Sequence, residues 1–293
     1  MQDIFTLADH VRYAVSRFNR EGLFYGHGTD NAFDEAVFIV MEALHLPPET
    51  ELDPFWNCRL TEAERKKVQE LIEARATTRK PAPYLLNKAY IQGIPFYVDA
   101  RVIVPRSYIG EILTQEDGFA PPGFPQDVRR VLDLCTGSGC LAILAALVYP
   151  DAQVDAVDLS PGALDVARKN VETHGLEGQI TLHEGDLFTP VAGNKYDLII
   201  ANPPYVTHES MESLPPEYRH EPEMALASGE DGLDAVRQIL AQSRDRLNEP
   251  GGLLCEIGNG RDTVESAFPE TPFLWLDTAE SEGAVFWVNG RDI

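Results

Sequence analysis

The chain carries Val131-Leu132-Asp133-Leu134-Cys135 directly ahead of Thr136-Gly137-Ser138-Gly139. The first five residues are an apolar run broken by a single acid, the pattern of a parallel strand covered on both faces. Cys140-Leu141-Ala142-Ile143-Leu144-Ala145-Ala146-Leu147 follows and forms helix strongly. Strand, glycine loop and helix in immediate succession make a cradle for a nucleotide-like ligand, with backbone N–H groups converging at a helix start. Gly137 to Ala142 also satisfies the dinucleotide fingerprint Gly-x-Gly-x-x-Ala. Two details point to another ligand. Asp133 lies inside the strand, placed to meet the cationic amino acid end of a sulfonium cofactor, or else to cap the helix. Cys135 and Thr136 fill the turn at which a dinucleotide site brings its first glycine at once.

Working downstream, Val154-Asp155-Ala156-Val157-Asp158 reads as the second strand. Asp158 ends it, 21 positions after Gly137, where an acid can accept both hydroxyls of a ribose. Asp155 competes for that role but falls in mid-strand. Ser160-Pro161 supplies the N-cap and first position of a helix that Gly175 ends. Ile180-Thr181-Leu182-His183 is the third strand. Asp186 and Leu187 follow it, the acid placed for an adenine amine and the leucine for the ring, unless Asp186 is a plain turn acid.

Tyr196-Asp197-Leu198-Ile199-Ile200 is a further buried strand, and Ala201-Asn202-Pro203-Pro204-Tyr205 stops it. Neither proline offers a ladder N–H, so the chain leaves the sheet carrying Asn202 at the strand's carboxyl end. Ligands of open α/β sheets bind at that edge. The Asn202 amide oxygen and a proline carbonyl can accept both hydrogens of a planar NH2 group, localising its lone pair on one face. The Pro204 turn leaves few competing donors, and Tyr205 can pack on the flat group. The structural alternative is a proline-rich loop with a packing tyrosine.

Upstream, apolar residues at helical spacing place a first helix over roughly residues 3–20. A second begins after Asp30 and stops before Pro47-Pro48. A third opens at the capping box Thr61-x-x-Glu64. Ala89-Tyr90-Ile91 and Ile94 to Val98 read as a hairpin around Gln92-Gly93, and Arg101 to Val104 as a strand leading to Arg106. Arg106 is placed to reach the cofactor or Glu111, or is a surface arginine. Leu253 to Gly258 is the fifth strand of the sheet; Phe273-Leu274-Trp275 and Ala284 to Val288 supply an antiparallel edge. The stretch Pro216 to Glu223 is polar and reads as a loop closing over the active site.

Together these residues resemble the class I S-adenosylmethionine-dependent methyltransferases, and Asn202-Pro203-Pro204-Tyr205 resembles the branch acting on planar NH2 groups. Lys80-Pro81-Ala82-Pro83-Tyr84-Leu85, Phe96-Tyr97-Val98-Asp99 and Val102-Ile103-Val104-Pro105-Arg106-Ser107 look like the protein-(glutamine-N5) methyltransferases. Relatives that modify release factors carry Ile-Pro-Arg-Pro-Glu-Thr-Glu at the last motif. Val104-Pro105-Arg106-Ser107-Tyr108-Ile109-Gly110-Glu111 is more similar to the branch that modifies the third protein of the large ribosomal subunit. The resemblance implies an α/β fold, Rossmann-like, with a seven-stranded mostly parallel sheet. It implies a helical domain at 1–79 that recognises the substrate or else serves as a stability cap, a linker with the hairpin at 80–127 and a catalytic domain at 128–293. It implies S-adenosylmethionine held by Asp133, Cys135, Thr136, Gly137, Ser138, Gly139, Asp158, Asp186, Leu187, Asn202 and Arg106. Catalysis falls to Asn202, Pro203, Pro204 and Tyr205, with no metal.

The 293 residues hold 24 basic and 47 acidic side chains, a net charge of −23. Such a balance repels bare nucleic acid and suits a basic protein partner, or serves solubility alone. This weighs against adenine methylation of nucleic acid. Three further readings remain: release-factor methylation, a dinucleotide oxidoreductase, and a ribosome-assembly binder without activity. Four cysteines without metal or disulfide spacing suit a reducing cytoplasm. The sequence shows no signal peptide and no apolar run long enough to span a bilayer.

Overall fold

The computed structural model describes residues 4–115 and 118–293, which fall into two compact units. Asp3, the expected first residue of the opening helix, and Glu116 and Asp117 of the expected linker lie outside the described residues. The described part of Met1–Ala100 and the distant stretch Pro215–His220 form the first unit; Arg101–Leu214 and Glu221–Ile293 form the second. The boundaries therefore differ from those suggested by the sequence. The hairpin belongs with the helices, and Arg101 begins the second unit.

In the first unit, α1 (Leu7–Glu21) starts later than its apolar spacing suggests. Thr6 and Asp9 form a capping box there, each side chain bonding the other's backbone N–H. The second helix, α2 (Ala32–Ala43), is capped by Asn31, and α3 (Glu62–Thr78) by Thr61 with Glu64. A short α4 (Ala82–Leu86) leads to the antiparallel pair β1 (Ala89–Ile91) and β2 (Ile94–Phe96). Gln92 and Gly93 turn the hairpin with positive φ, the geometry that matches strand twist. Leu7, Val11, Phe18, Ile39, Val68 and Ile72 pack into the unit's core.

A buried ionic cluster crosses that unit. Arg75, 1% exposed at its side chain, bonds Glu35 at 2.6 Å and the Phe24 carbonyl at 2.9 Å. Glu217 comes from the 3-10 turn Pro216–His220 and is fully buried. It accepts from Arg79 at 2.8 Å and from the Phe24 N–H at 3.0 Å, with Arg75 at 3.7 Å. Tyr218 adds its ring against His27 and Phe24. The charge of Glu217 thus serves burial and pairing in the helical unit, within a stretch whose sequence reads as a loop closing over the active site.

The second unit opens with α5 (Ile109–Leu113) and continues through β3 (Arg130–Leu134), α6 (Cys140–Val148), β4 (Gln153–Asp158), α7 (Pro161–Thr173), β5 (Ile180–Glu184) and β6 (Tyr196–Ala201). It closes with α8 (His208–Ser213), α9 (Asp234–Arg246), β7 (Leu247–Glu256), α10 (Arg261–Ala267), β8 (Leu274–Leu276) and β9 (Val285–Asn289). Seven strands order as β5-β4-β3-β6-β7-β9-β8, the first five parallel and β9 antiparallel to both β7 and β8. Residues alternate between faces with period two. Leu132, Leu134, Ile199, Leu253 and Phe286 pack with Val236 and Ile239 of α9 and Val264 of α10. The intervening positions meet the layer of α5, α6 and α7. Arg101 to Val104, expected as a strand, is irregular. Pro105 has no N–H, and the Val104 N–H is taken by Glu221 at 2.9 Å.

Candidate active site

Chain order along the sheet reverses between β3 and β6, the switch point at which open α/β sheets take their ligands. Register aligns the ends there. Leu134 pairs with Val157 on one side and Ala201 on the other, and Asp158 pairs with Glu184. The residues that follow, Cys135, Asn202 and Gly185, therefore leave the sheet together. A cavity of about 300 Å³ opens at this edge. Cys135, Gly137, Asp158, Asp186, Leu187, Asn202 and Pro204 all line it.

The glycine loop is fixed from below. Gly139 caps the start of α6 at φ 79, and a Cβ there would lie 3.2 Å from Ala167 Cβ, so α7 packs against bare backbone. The Asp158 carboxylate accepts from the Gly137 N–H and the Ser160 N–H, both at 2.8 Å. Burial raises its pKa while these bonds oppose the rise. Among the described residues of the second unit, only Cys135 (φ 59) and Leu187 (φ 44) hold left-handed backbone without being glycine. Both line the cavity, which places local backbone strain at the site rather than across the fold. Burial pushes the Cys135 thiol far above its ordinary range, so it acts there as a small apolar group.

Several expected residues stand behind the wall rather than on it. Asp133 is completely buried and accepts from Thr136 Oγ1 at 2.5 Å and the Ala142 N–H at 3.0 Å. It holds the loop to the first turn of α6, the capping role, and burial raises its pKa to about 7. Thr136 and Ser138 are also buried, and neither they nor Gly139 line the cavity. Arg106 reaches neither the cavity wall nor Glu111. It clasps Glu221 with two nitrogens, at 2.6 and 2.7 Å, while Glu111 accepts from the Ala279 N–H. This clasp ties the segments on either side, Arg101 to Ile103 and Pro222 to Gly229, which both reach the cavity.

Pro203 is buried, and Tyr205 is part-buried and off the cavity wall. The Tyr205 hydroxyl donates to Glu256 at 3.2 Å, and a Cβ on Gly258 would lie 2.8 Å from its ring. Its position is that of an anchor for the turn, in place of the expected stacking platform. Glu256 is 1% exposed and also accepts from Ser107 Oγ at 2.6 Å and the Tyr108 N–H at 2.9 Å. Asn202, by contrast, has an amide that bonds to no described residue, and it lines the cavity. The sequence reading missed Glu256, one acid at the end of an apolar strand. It also missed Gly185, Leu159, Met224 and Gln238 on the wall. Leu159 was detectable as the neighbour of Asp158; Met224 carried no signal.

Glycine loop, acid at the end of β4 and open amide at the end of β6 fit a nucleoside-bearing methyl donor, and fold and site together define a class I methyltransferase. Residues 122–215 match the family model of the methyltransferase small domain. The chain belongs to the family of ribosomal protein uL3 glutamine methyltransferases. It is 57% identical to the ribosomal protein uL3 glutamine methyltransferase of Bradyrhizobium diazoefficiens over 296 residues, covering 99% of this chain and 92% of that protein. It is 53% identical to the protein of that name from Bordetella pertussis, covering 97% of this chain and 95% of that one. Among solved structures, the hMettl16 catalytic domain in complex with MAT2A 3'UTR hairpin 6 shares the fold. Its TM-score is 0.50 at 17% identity, over 75% of this chain and 81% of that one.

Proposed function

We propose that the protein methylates the side-chain amide nitrogen of a glutamine in ribosomal protein uL3, using S-adenosylmethionine. The observation that carries the reading is the open Asn202 amide on the cavity wall, in a chain that matches uL3 glutamine methyltransferases over nearly its whole length. When bound, the cofactor supplies a methyl group as an electrophile whose sulfonium charge is lost on transfer. The Asp158 carboxylate accepts the ribose hydroxyls, Asp186 and Leu187 take the adenine, and Gly137 gives the ligand close backbone approach. The Asn202 oxygen and a proline carbonyl of the turn accept the two hydrogens of the substrate amide. That holds the nitrogen in line and turns its lone pair towards the methyl carbon. Asn202 and the proline turn would hold the nitrogen to which the methyl group would pass, and that nitrogen's extra proton would leave to water.

The helical unit offers a surface for gripping uL3, and the balance of −23 suits a basic partner over bare nucleic acid. Among the described residues no helix is long and apolar enough to cross a membrane. We place the reaction in the cytoplasm, with its substrate. The test is intact-mass and fragment analysis of purified large ribosomal subunits and of free uL3 after incubation with enzyme and S-adenosylmethionine. One added methyl group on a uL3 glutamine is expected. Methylation of a release factor in a parallel reaction, with uL3 unmodified, would transfer the chemistry to the other target.

A further inference from the structure

Two large apolar side chains on the cavity wall are left open, Leu159 at 57% exposure and Met224 at 50%. Leu159 follows Asp158 and precedes the α7 cap, so it belongs with the cofactor-binding residues. Met224 belongs to a different part of the wall. Its segment is paired with the continuation of the Asn202 turn: the Val206 N–H donates to Leu226 at 2.8 Å, and the Ser228 N–H donates to Val206 at 2.9 Å. The other end of the segment is fixed by the two-nitrogen grip of Arg106 on Glu221. Met224 thus rides on a rung held at both ends while its own side chain stays half in water.

A flexible, polarizable side chain in that situation has unused apolar contact area, and thioethers adapt to irregular partners. The substrate that must reach Asn202 has a matching form. A glutamine side chain is two methylenes carrying an amide, so placing the amide at Asn202 leaves an apolar stem that needs a covering surface. We infer that Met224 is a specificity-determining residue that receives the aliphatic stem of the acceptor glutamine as its amide reaches Asn202. The inference rests on the glutamine-methylating reading given above.

Its test compares Met224→Ala and Met224→Leu with the wild-type enzyme on purified uL3, and measures S-adenosylmethionine binding by calorimetry. Met224→Ala is expected to raise KM for uL3 about tenfold, with kcat and cofactor affinity within about twofold of wild type. Met224→Leu restores apolar bulk and should recover most of the loss. Unchanged cofactor affinity also shows that the variants are folded. Wild-type turnover with an unaltered KM in Met224→Ala overturns the inference alone. So does a variant whose cofactor affinity falls while KM for uL3 holds, since Met224 then belongs to the cofactor side. Wild-type enzyme that leaves uL3 unmodified overturns the functional reading, and the inference with it.

Discussion

The Asp158 carboxylate accepts the Gly137 N–H at 2.8 Å, joining the end of β4 to the loop that follows β3. Its second oxygen takes the Ser160 N–H at 2.8 Å. A carboxylate has about four acceptor positions, so acceptor capacity remains for ribose hydroxyls. Asp158→Ala should weaken S-adenosylmethionine binding by roughly ten- to a hundredfold, from losing charge-assisted bonds of about 1.5–3 kcal/mol. Calorimetric titration reads this directly. An unchanged affinity would move the ribose elsewhere, though not to Asp155, whose carboxylate is held by Arg130, Tyr196 and His183.

Asn202→Ala should slow methyl transfer by about a hundredfold or more, near the ~3 kcal/mol lost with one preorganised polar contact. Cofactor affinity should change far less, because the amide acts mainly on the substrate. Single-turnover rates with uL3 make the comparison, and a variant with near-normal turnover would falsify the amide-clamp role.

Asp133 gives the stability curve a defined slope. Burial raises its pKa from 3.8 to about 7 in the folded protein. Between those values the folded chain keeps a proton that the unfolded chain has released, so this group's contribution to stability falls as pH rises through the window. The slope is up to about 1.4 kcal/mol per pH unit. Asp133→Asn removes the titration. Its stability relative to wild type should therefore improve steadily from pH 4 to 7 and level off above. Urea unfolding at several pH values checks this, and an offset independent of pH contradicts it.

Glu217→Ala should destabilise the helical unit by about 3 kcal/mol. The substitution removes a buried partner of Arg79 and leaves the Phe24 N–H unpaired. Glu217→Gln, which keeps an acceptor, should cost less. Denaturant midpoints followed by tryptophan fluorescence separate the two, and a change below about 0.5 kcal/mol for the alanine variant would contradict the pairing.

Initial rates on uL3 at low concentration should fall steeply between roughly 50 and 500 mM salt, because screening shortens the reach of an enzyme charge of −23. Cofactor affinity should hold across that range. Rates indifferent to salt would leave the acidic surface with no part in encounter.

The sheet was legible because its strands are short apolar runs with Gly, Pro or acid punctuation at each carboxyl end. Those same residues, Gly137, Asp158, Asp186 and Asn202, came out on one cavity. What the sequence hid is partnership over long separations. Nothing local shows that Arg106 meets Glu221, 115 positions away, or that Glu256 collects Ser107 and Tyr205. Asp133 and Tyr205 were assigned to the ligand because their types suit it, whereas both side chains turn inward to satisfy neighbours. Ser107 stands where release-factor relatives carry proline. Its hydroxyl is bonded to buried Glu256, so that distinguishing position supports the wall from behind. The start of α1 was misplaced because apolar spacing continues through residues that the Thr6 cap excludes.

The helical unit draws its final turn from Pro215–His220, more than a hundred residues after its other elements. On the ribosome this sets an order of events. Arg75 and Arg79 emerge long before Glu217 and must wait while β3 to β6 are synthesised. Until then Arg75 has Glu35 as its carboxylate partner, while Arg79 lacks the Glu217 oxygen it later bonds. β6, which ends at Ala201, precedes Glu217 in the chain, so a nascent chain completes the helical unit only once the Asn202 turn already exists.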